Sequence, residues 1–434
     1  MNPSQLFERD LSIETSAFED TSFDTLKSKI TGLLEINQQP VRFTVSESRR
    51  DLSGVEIGVL QSRRQLAGLF DYRQRRYENT DAFNVICIIP TGIGCHIGGH
   101  AGDANPVARL LASACDRLIL HPNVVNASDI NEMTDNCIYV EGSSITRLLM
   151  GTIGLRPTRR NRILAIIDET EHQSLEDLTI NAINAARATL GVTIANIAKV
   201  KGLSMTTELT PSGRAVGVIK GIDHLFDLLD QFKGTYDAVS ISSSIDVTEE
   251  SAESYVFNAD SVVNPWGGVE AMLTHAISYM YHVPSAHAPI LTNPEYAIPD
   301  YGIVDARISA EMVSQAFVHC VLKGLHQSPQ IKSGPDYLDQ SSILAEDISA
   351  LVIPDSCVGL PTLAALAQGI PVIAVRENKN LMRNDLQRLN WADGQLHVVD
   401  NYWEAAGVLL ALKQGINPAS ARRPFHTFTH NSIQ

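Results

Sequence analysis

Charge is what this sequence is short of. Charged residues make up 19% of its 434 positions, against roughly 25% in an ordinary globular chain, while hydrophobic residues reach 44%. So apolar a chain can bury sizeable cores, which excludes wholesale disorder. Cations are scarcer still: 34 Lys and Arg stand against 49 Asp and Glu, a net charge of −15. No nucleic acid is expected as the main partner, because neutralising phosphates needs a concentrated Lys/Arg surface. The one dense basic run, Arg156–Arg162, reads as a solvated linker.

Paired cysteines are missing too. Cys87, Cys95, Cys115, Cys137, Cys320 and Cys357 are scattered, and four of the six lie in strongly apolar surroundings. That is the pattern of reduced, buried thiols, not of a disulfide framework. At the start of the chain no basic segment leads into an apolar stretch, so no signal peptide is expected and a cytoplasmic location is. The window that most resembles a membrane span, Cys357–Val375, carries Pro361, Gln368 and Pro371. It divides into a short helix, a Gly-x-Pro turn and a strand, so no membrane is expected among the partners. No Walker-A lysine follows any glycine cluster, which disfavours ATP hydrolysis.

What the chain has instead is a repeated strand–turn–helix rhythm. Asn84–Pro90 is a continuous apolar run, as expected of a strand buried on both faces. Helical spacing follows at Val107, Leu110, Leu111 and Ala114, with Pro106 suited to the first turn. Further strands are predicted at Arg117–His121, Arg162–Asp168, Val192–Ala198, Tyr236–Ser242, Ala350–Pro354 and Pro371–Val375. Helices are predicted at Leu178–Leu190, Val269–Met280 and Leu360–Ala367. Met312, Val313, Ala316, Phe317, Cys320 and Val321 predict one more, with Ser309 as its N-cap. This alternation implies an α/β fold with mostly parallel sheets. Two Rossmann-like lobes, at about 81–235 and 236–415, are expected to flank a cleft. Residues 1–80 are read as a support or oligomerisation segment, and 416–434 as a flexible tail.

In parallel sheets ligands gather at the carboxyl ends of strands, and four features fall there. Pro90–Asp103 holds Gly92, Gly94, Gly98, Gly99 and Gly102 together with Cys95, His96, His100 and Asp103. Glycines let a backbone approach a ligand closely, and a following helix N-terminus favours an anion; a tight turn is the plainer reading. His121–Asp129 offers Asn123 and Asn126 to a polar ligand, or forms a capped turn. Gly267, Gly268 and Glu270 open a helix as a second anion cradle, with His287 between small residues and prolines nearby. His275 and His282 read as satisfied helix histidines. Asp355–Pro361 brings Cys357 to the end of a predicted strand.

Two chemistries are open to these residues. A thiolate at a helix N-terminus is acidified and can exchange a proton beside a carboxylate. Cys357, three residues before Leu360, is the cysteine expected to be the more reactive in that way. His96, His100, Asp103 and His121 could instead hold zinc with one position open for water.

Ala350–Val375 resembles the acceptor-distal half of GT-B glycosyltransferases and sugar-nucleotide epimerases. The shared pattern is Gly359, Leu360, Pro361, Leu363, Ala365, Ala367, Gly369, Pro371, Val372 and Ile373, but the acidic residue that binds the ribose there is Ala364 here. The placement of Cys95 and Cys357 is similar to that in aspartate/glutamate racemases, which implies two cysteines facing each other across a substrate. From about Asn84 to the last helix, the chain resembles a family of uncharacterised proteins common in photosynthetic bacteria. The segments GGHAGDANP, PSAHAP and YGIVDARISAE (Tyr301–Glu311) carry that likeness, which implies no established reaction.

The sequence therefore reads as an enzyme acting on a small anionic cytoplasmic metabolite in an interdomain cleft. The chemistry expected is proton or group transfer, isomerase- or transferase-like, with no redox cofactor. Cys95, His100, Asp103, His287 and Cys357 are the expected chemical residues; Gly98, Gly99, Asn123, Asn126, Gly267, Gly268 and Glu270 are the expected ligand-binding ones. No metal is expected. The alternatives are a zinc-dependent hydrolase using His96, His100, Asp103 and His121, and a non-catalytic metabolite sensor. Assembly as a homo-oligomer is left open.

Overall fold

The computed structural model describes residues 4–19, 22–127, 130–259, 262–291, 301–312, 316–334, 341–425 and 427. Ser128, Asp129, Val313 and nearly all of the tail beyond Phe425 lie outside the described residues.

Six parallel strands form one sheet, in the order Leu396–Val399, Val372–Val375, Ile348–Pro354, Asn84–Cys87, Arg117–Leu120, Cys137–Tyr139. Its two central strands are buried at every position, as continuous apolar runs require when helices cover both faces. Helix Asn105–Ala112, with Pro106 in its first turn, packs against Tyr402–Lys413; Gly142–Leu149 packs against Leu360–Gln368. The sheet draws strands from both sides of residue 236, so stretches assigned above to different lobes share one set of hydrogen bonds.

A second parallel sheet has four strands, in the order Thr193–Val200, Arg162–Asp168, Ala238–Ser243, Ser285–Pro289. Helix Gln173–Leu190 ends at Gly191, whose φ of 68° is the left-handed conformation that glycine adopts without strain. The chain is thus α/β with several parallel sheets.

Residues 5–61 build the middle of an antiparallel sheet from Gln5–Glu14, Leu52–Gln61 and Gln38–Glu47. The hairpin Ser204–Leu209/Ala215–Lys220 extends one edge and Val358–Gly359 the other, so this sheet is bonded to chain from both parallel sheets. One face is apolar, with Val41, Phe43, Val45, Val55 and Ile57 buried. Strand alternation puts Glu8, Arg42 and Glu56 on the other face. There Arg214 of the hairpin, fully buried, bonds Glu56 through Nε and Glu8 through Nη2. Ser212 Oγ donates to Glu56 at 2.6 Å. Burial alone would raise the Glu56 pKa, but Arg214 and these hydrogen bonds outweigh it and lower it.

Helix Gly267–Tyr281 touches each of these layers, packing on Ala215–Lys220, Gln38–Glu47, Ser285–Pro289 and helix Gly142–Leu149. Its entry is tight. A Cβ on Gly267 would lie 1.8 Å from Thr91 Oγ1, and one on Gly268 1.9 Å from the Ala215 carbonyl oxygen.

The single helix expected around Met312–Val321 is two, Ala306–Met312 and Phe317–His326. Ser309 lies inside the first, its Oγ donating to the Asp305 carbonyl at 3.1 Å, and caps nothing. The apolar spacing runs on across the break, which is why periodicity alone merges the two.

Candidate functional site

A cavity of about 510 Å³ lies where the first half of helix Gly267–Tyr281 meets the strand ends. Its walls include Glu270 and His275 of that helix, His287 of Ser285–Pro289, and Thr91 and Ala101 of the glycine-rich loop. Asn123, Asn126, Glu141, Tyr255, Trp266 and Glu311 are among its other polar and aromatic residues.

His287, its side chain 1% exposed, is bonded on both ring nitrogens. Nδ1 donates to Glu270 Oε1 at 3.0 Å, and Nε2 accepts from the Ser243 hydroxyl at 2.9 Å. A carboxylate at Nδ1 fixes this tautomer. The order of contacts is that of a Ser–His–acid triad, but the accessibility is reversed: Ser243 is fully buried, while Glu270 lines the cavity. The hydroxyl steadies the imidazole and the imidazole steadies Glu270. The end that reaches the cavity is the carboxylate. Asp168, which closes strand Arg162–Asp168, is pushed up to about 7 by burial.

Glu311, on helix Ala306–Met312, is a second carboxylate in the wall. Its Oε1 accepts from the Ala101 N–H at 2.8 Å and from the Tyr255 hydroxyl at 2.6 Å. Burial outweighs both bonds and pushes this carboxyl up to about 7, with the Glu270 charge adding to the rise. At neutral pH it is populated in both protonation states, the condition for general acid–base work.

Glu141 is the third. It caps helix Gly142–Leu149, accepting from Ser143 N at 2.8 Å and Ser144 N at 3.1 Å, and stands 3.2 Å from His275 Nε2. His121 accepts from the Ile89 N–H at 3.1 Å through Nε2, and burial lowers its pKa to about 4.

The sequence-predicted residues divide accordingly. Glu270, His287, Asn123, Asn126 and Gly267 reach the cavity. Asn123 Nδ2 donates to the carbonyls of Ile89 at 2.9 Å and Gly98 at 2.8 Å, and Asn126 Nδ2 to Tyr139 Oη at 2.8 Å. Two of the four glycine N–H groups expected to cradle an anion, those of Gly98 and Gly267, are already bonded inside the protein. Gly98 N donates to Asp103 Oδ1 at 2.7 Å, and Gly267 N to Asn264 Oδ1 at 3.2 Å. Gly99 and Gly268 are instead required by backbone approach, since a Cβ would lie 2.1 Å from the Cys95 carbonyl oxygen and 1.9 Å from that of Ala215. His100 bonds the Ala259 carbonyl at 3.0 Å and lies against the Tyr255 ring. Asp103 is pushed up to about 7 by burial but is not among the cavity walls.

The acidified thiolates are not found. Cys95 and Cys357 come near enough for one charge to act on the other, yet burial pushes both thiols well up. Cys357 lines a different, smaller cavity. Neither sits on a free helix N-terminus, so desolvation decides their chemistry. Both are expected to alkylate with iodoacetamide at pH 8 far more slowly than a small free thiol, read per cysteine by mass spectrometry. Labelling of native Cys357 at the free-thiol rate would reverse that assignment.

Nor do the four zinc candidates converge. Among the described residues no three His, Cys, Asp or Glu side chains are grouped to hold a metal ion, and His96 is exposed.

Sequence reasoning missed Ser243, Glu311, Tyr255 and Glu141. The Ser-Ser-Ser strand end and the acidic residue closing YGIVDARISAE were the signals for the first two.

A family model described as protein of unknown function, DUF3326, matches residues 84–422. The chain belongs to this family. A protein of Synechococcus sp. named an uncharacterized lipoprotein is 33% identical over 338 residues, which cover 77% of this chain and 92% of that protein. This DUF3326 membership and the cyanobacterial relative agree with the whole-chain resemblance drawn from the sequence. The glycosyltransferase likeness of Ala350–Val375 is not shown. No solved structure matches the chain. The cytoplasmic expectation is corrected by the relative's name, which calls that protein a lipoprotein. Among the described residues no helix is long and apolar enough to cross a membrane.

Proposed function

We propose that this DUF3326 protein is an enzyme that moves a proton on a small polar metabolite bound in the 510 Å³ cavity. The observation that carries the reading is two carboxylates in opposite settings on one cavity. Glu270 accepts from the His287–Ser243 series, while Glu311 is desolvated and half-protonated near neutrality. Pairs whose environments differ in this way divide the roles of base and acid. Glu270 takes the proton and Glu311 supplies one.

The wall also revises the substrate. Glu141, Asp246, Glu249, Glu253, Glu270 and Glu311 line the cavity, and none of the described lining residues is Lys or Arg. An anion would be repelled there; a neutral or cationic polar molecule, stacked on Trp266 or Tyr255, is favoured. The test is to identify small molecules that co-purify with the protein and incubate each with it in heavy water. One of them should take up deuterium, and Glu270→Gln and Glu311→Gln should each slow the exchange by about 10²–10⁴-fold. Absence of exchange in every bound molecule would remove the reading.

A further inference from the structure

A second cavity, of about 160 Å³, lies between the antiparallel sheet and the six-stranded parallel sheet. Thr91, His121, Gly142, Ala271 and His275 line both it and the larger one, so the two adjoin. Three of these, Thr91, Gly142 and Ala271, are small. The two cavities differ in access. Asp246, Glu249 and Glu253 in the wall of the larger one are exposed, whereas none of the described residues lining the smaller one is. The larger cavity is therefore the mouth, and the smaller one an inner chamber behind it.

Polarity changes along the same path. Acidic side chains line the mouth, while Phe43, Ile88, Ile93, Ile353, Leu360 and Met382 wall the inner chamber. Two hydroxyls of that wall are engaged within the protein, Thr146 Oγ1 donating to the Gly142 carbonyl at 3.1 Å and Thr362 Oγ1 to that of Cys357 at 2.9 Å. Strand alternation turns the Arg42 side chain to the far face of its sheet, where Glu8 and Glu56 offset its charge. His121 is neutral at pH 7, since burial lowers its pKa to about 4. Hydrocarbon is the occupant such a wall favours. An apolar cavity of about 150 Å³ stays dry and takes one benzene, and folded interiors keep few voids of that size.

We propose that the inner chamber holds the hydrocarbon part of the molecule whose polar end lies in the larger cavity. The ligand class is a small amine bearing an alkyl or aryl group of about six carbons, its ammonium among the carboxylates of the mouth. This rests on the reading of the larger cavity as the substrate site, and adds a direction to it. The tail enters first, and Glu270, next to the shared Ala271, then stands beside the junction of tail and head.

n-Alkylamines are the probes, titrated calorimetrically into the whole protein at pH 7. Affinity should rise about fourfold per methylene from propylamine to about hexylamine, then level off as the chamber fills. Hexanoate, with a similar tail and a negative head, should bind at least about tenfold more weakly than hexylamine. Val358→Phe puts a ring into the inner chamber and lies outside the wall of the larger cavity. It should remove most of the gain with chain length and leave propylamine unchanged. The proposal is overturned if no amine binds at millimolar concentration, if affinity ignores chain length, or if it keeps rising past octylamine. Hexanoate binding as well as hexylamine, or Val358→Phe leaving hexylamine undiminished, would overturn it too. Should that variant not fold, the amine series on the unaltered protein decides by itself. Binding is read without turnover, so a flat series removes the tail and leaves the heavy-water test of proton transfer standing.

Discussion

Arg214→Met is expected to destabilise the protein by about 3–5 kcal/mol at pH 7.5, the usual consequence of leaving a buried charge without its partner. Two carboxylates depend on that guanidinium, because Glu8 and Glu56 both bond it, with side chains 2% and 1% exposed. The pH dependence identifies the cause. In the unaltered protein Glu56 titrates below its ordinary value of 4.5. Its contribution is therefore present above 4.5 and lost as pH falls through the folded pKa. Without Arg214 the largest effect opposing burial is gone and the folded pKa rises, so the variant becomes relatively more stable as pH falls. Urea unfolding at pH 7.5 and pH 4.5 should show the deficit shrinking toward acid. A deficit under about 1 kcal/mol, or one that ignores pH, would mean that solvent reaches these carboxylates.

The same cluster explains what the sequence concealed. Val41, Phe43 and Val45 alternate with Arg42 and Thr44, a strand pattern, yet charged residues on the far face suggest a solvent-facing sheet. The charges are instead buried around a residue more than 150 positions away, and nothing local announces Arg214. Residues 1–80 thus read as fragments until their hairpin partner is placed. By contrast, Asn84–Cys87, Arg162–Asp168 and Ile348–Pro354 were legible, because a strand buried on both faces needs no partner to declare itself. Which parallel strands share a sheet was not legible. A helical crossover leaves the choice of neighbour open, and Ile348–Pro354 pairs with Asn84–Cys87 across more than 250 residues.

For the site, His287 and Glu270 stood out because polar residues among small ones near a glycine-rich helix entry have few structural reasons to be there. The glycines misled in part. A Cβ at Gly99 or Gly268 would collide with a carbonyl oxygen, of Cys95 or Ala215, and one at Gly267 with the Thr91 hydroxyl. The cysteines misled differently. Position after a strand was right, but reactivity depends on desolvation, which the sequence does not display.

Glu311→Gln is expected to make the protein more stable and less active at once. Glu311 is pushed from 4.5 up to about 7 by burial, so between those values the unfolded chain releases a proton that the folded protein keeps. Stability therefore falls as pH rises through that window, and the penalty is complete above about 7. One pKa unit is about 1.4 kcal/mol, and because Glu311 faces an open cavity we expect about 1–2 kcal/mol of the full amount. Glutamine removes the ionisation but retains an Oε1 to accept from Ala101 N–H and Tyr255 O–H. Thermal melts of the two proteins should coincide near pH 4.5, diverge up to about 7 and stay apart at pH 8, with the variant melting higher. A variant that is less stable at pH 8, or offset equally at every pH, would show that Glu311 is not held in a desolvated, partly protonated state. An acid kept at a cost to stability, and whose neutral mimic slows exchange in heavy water, is one retained for chemistry rather than for folding.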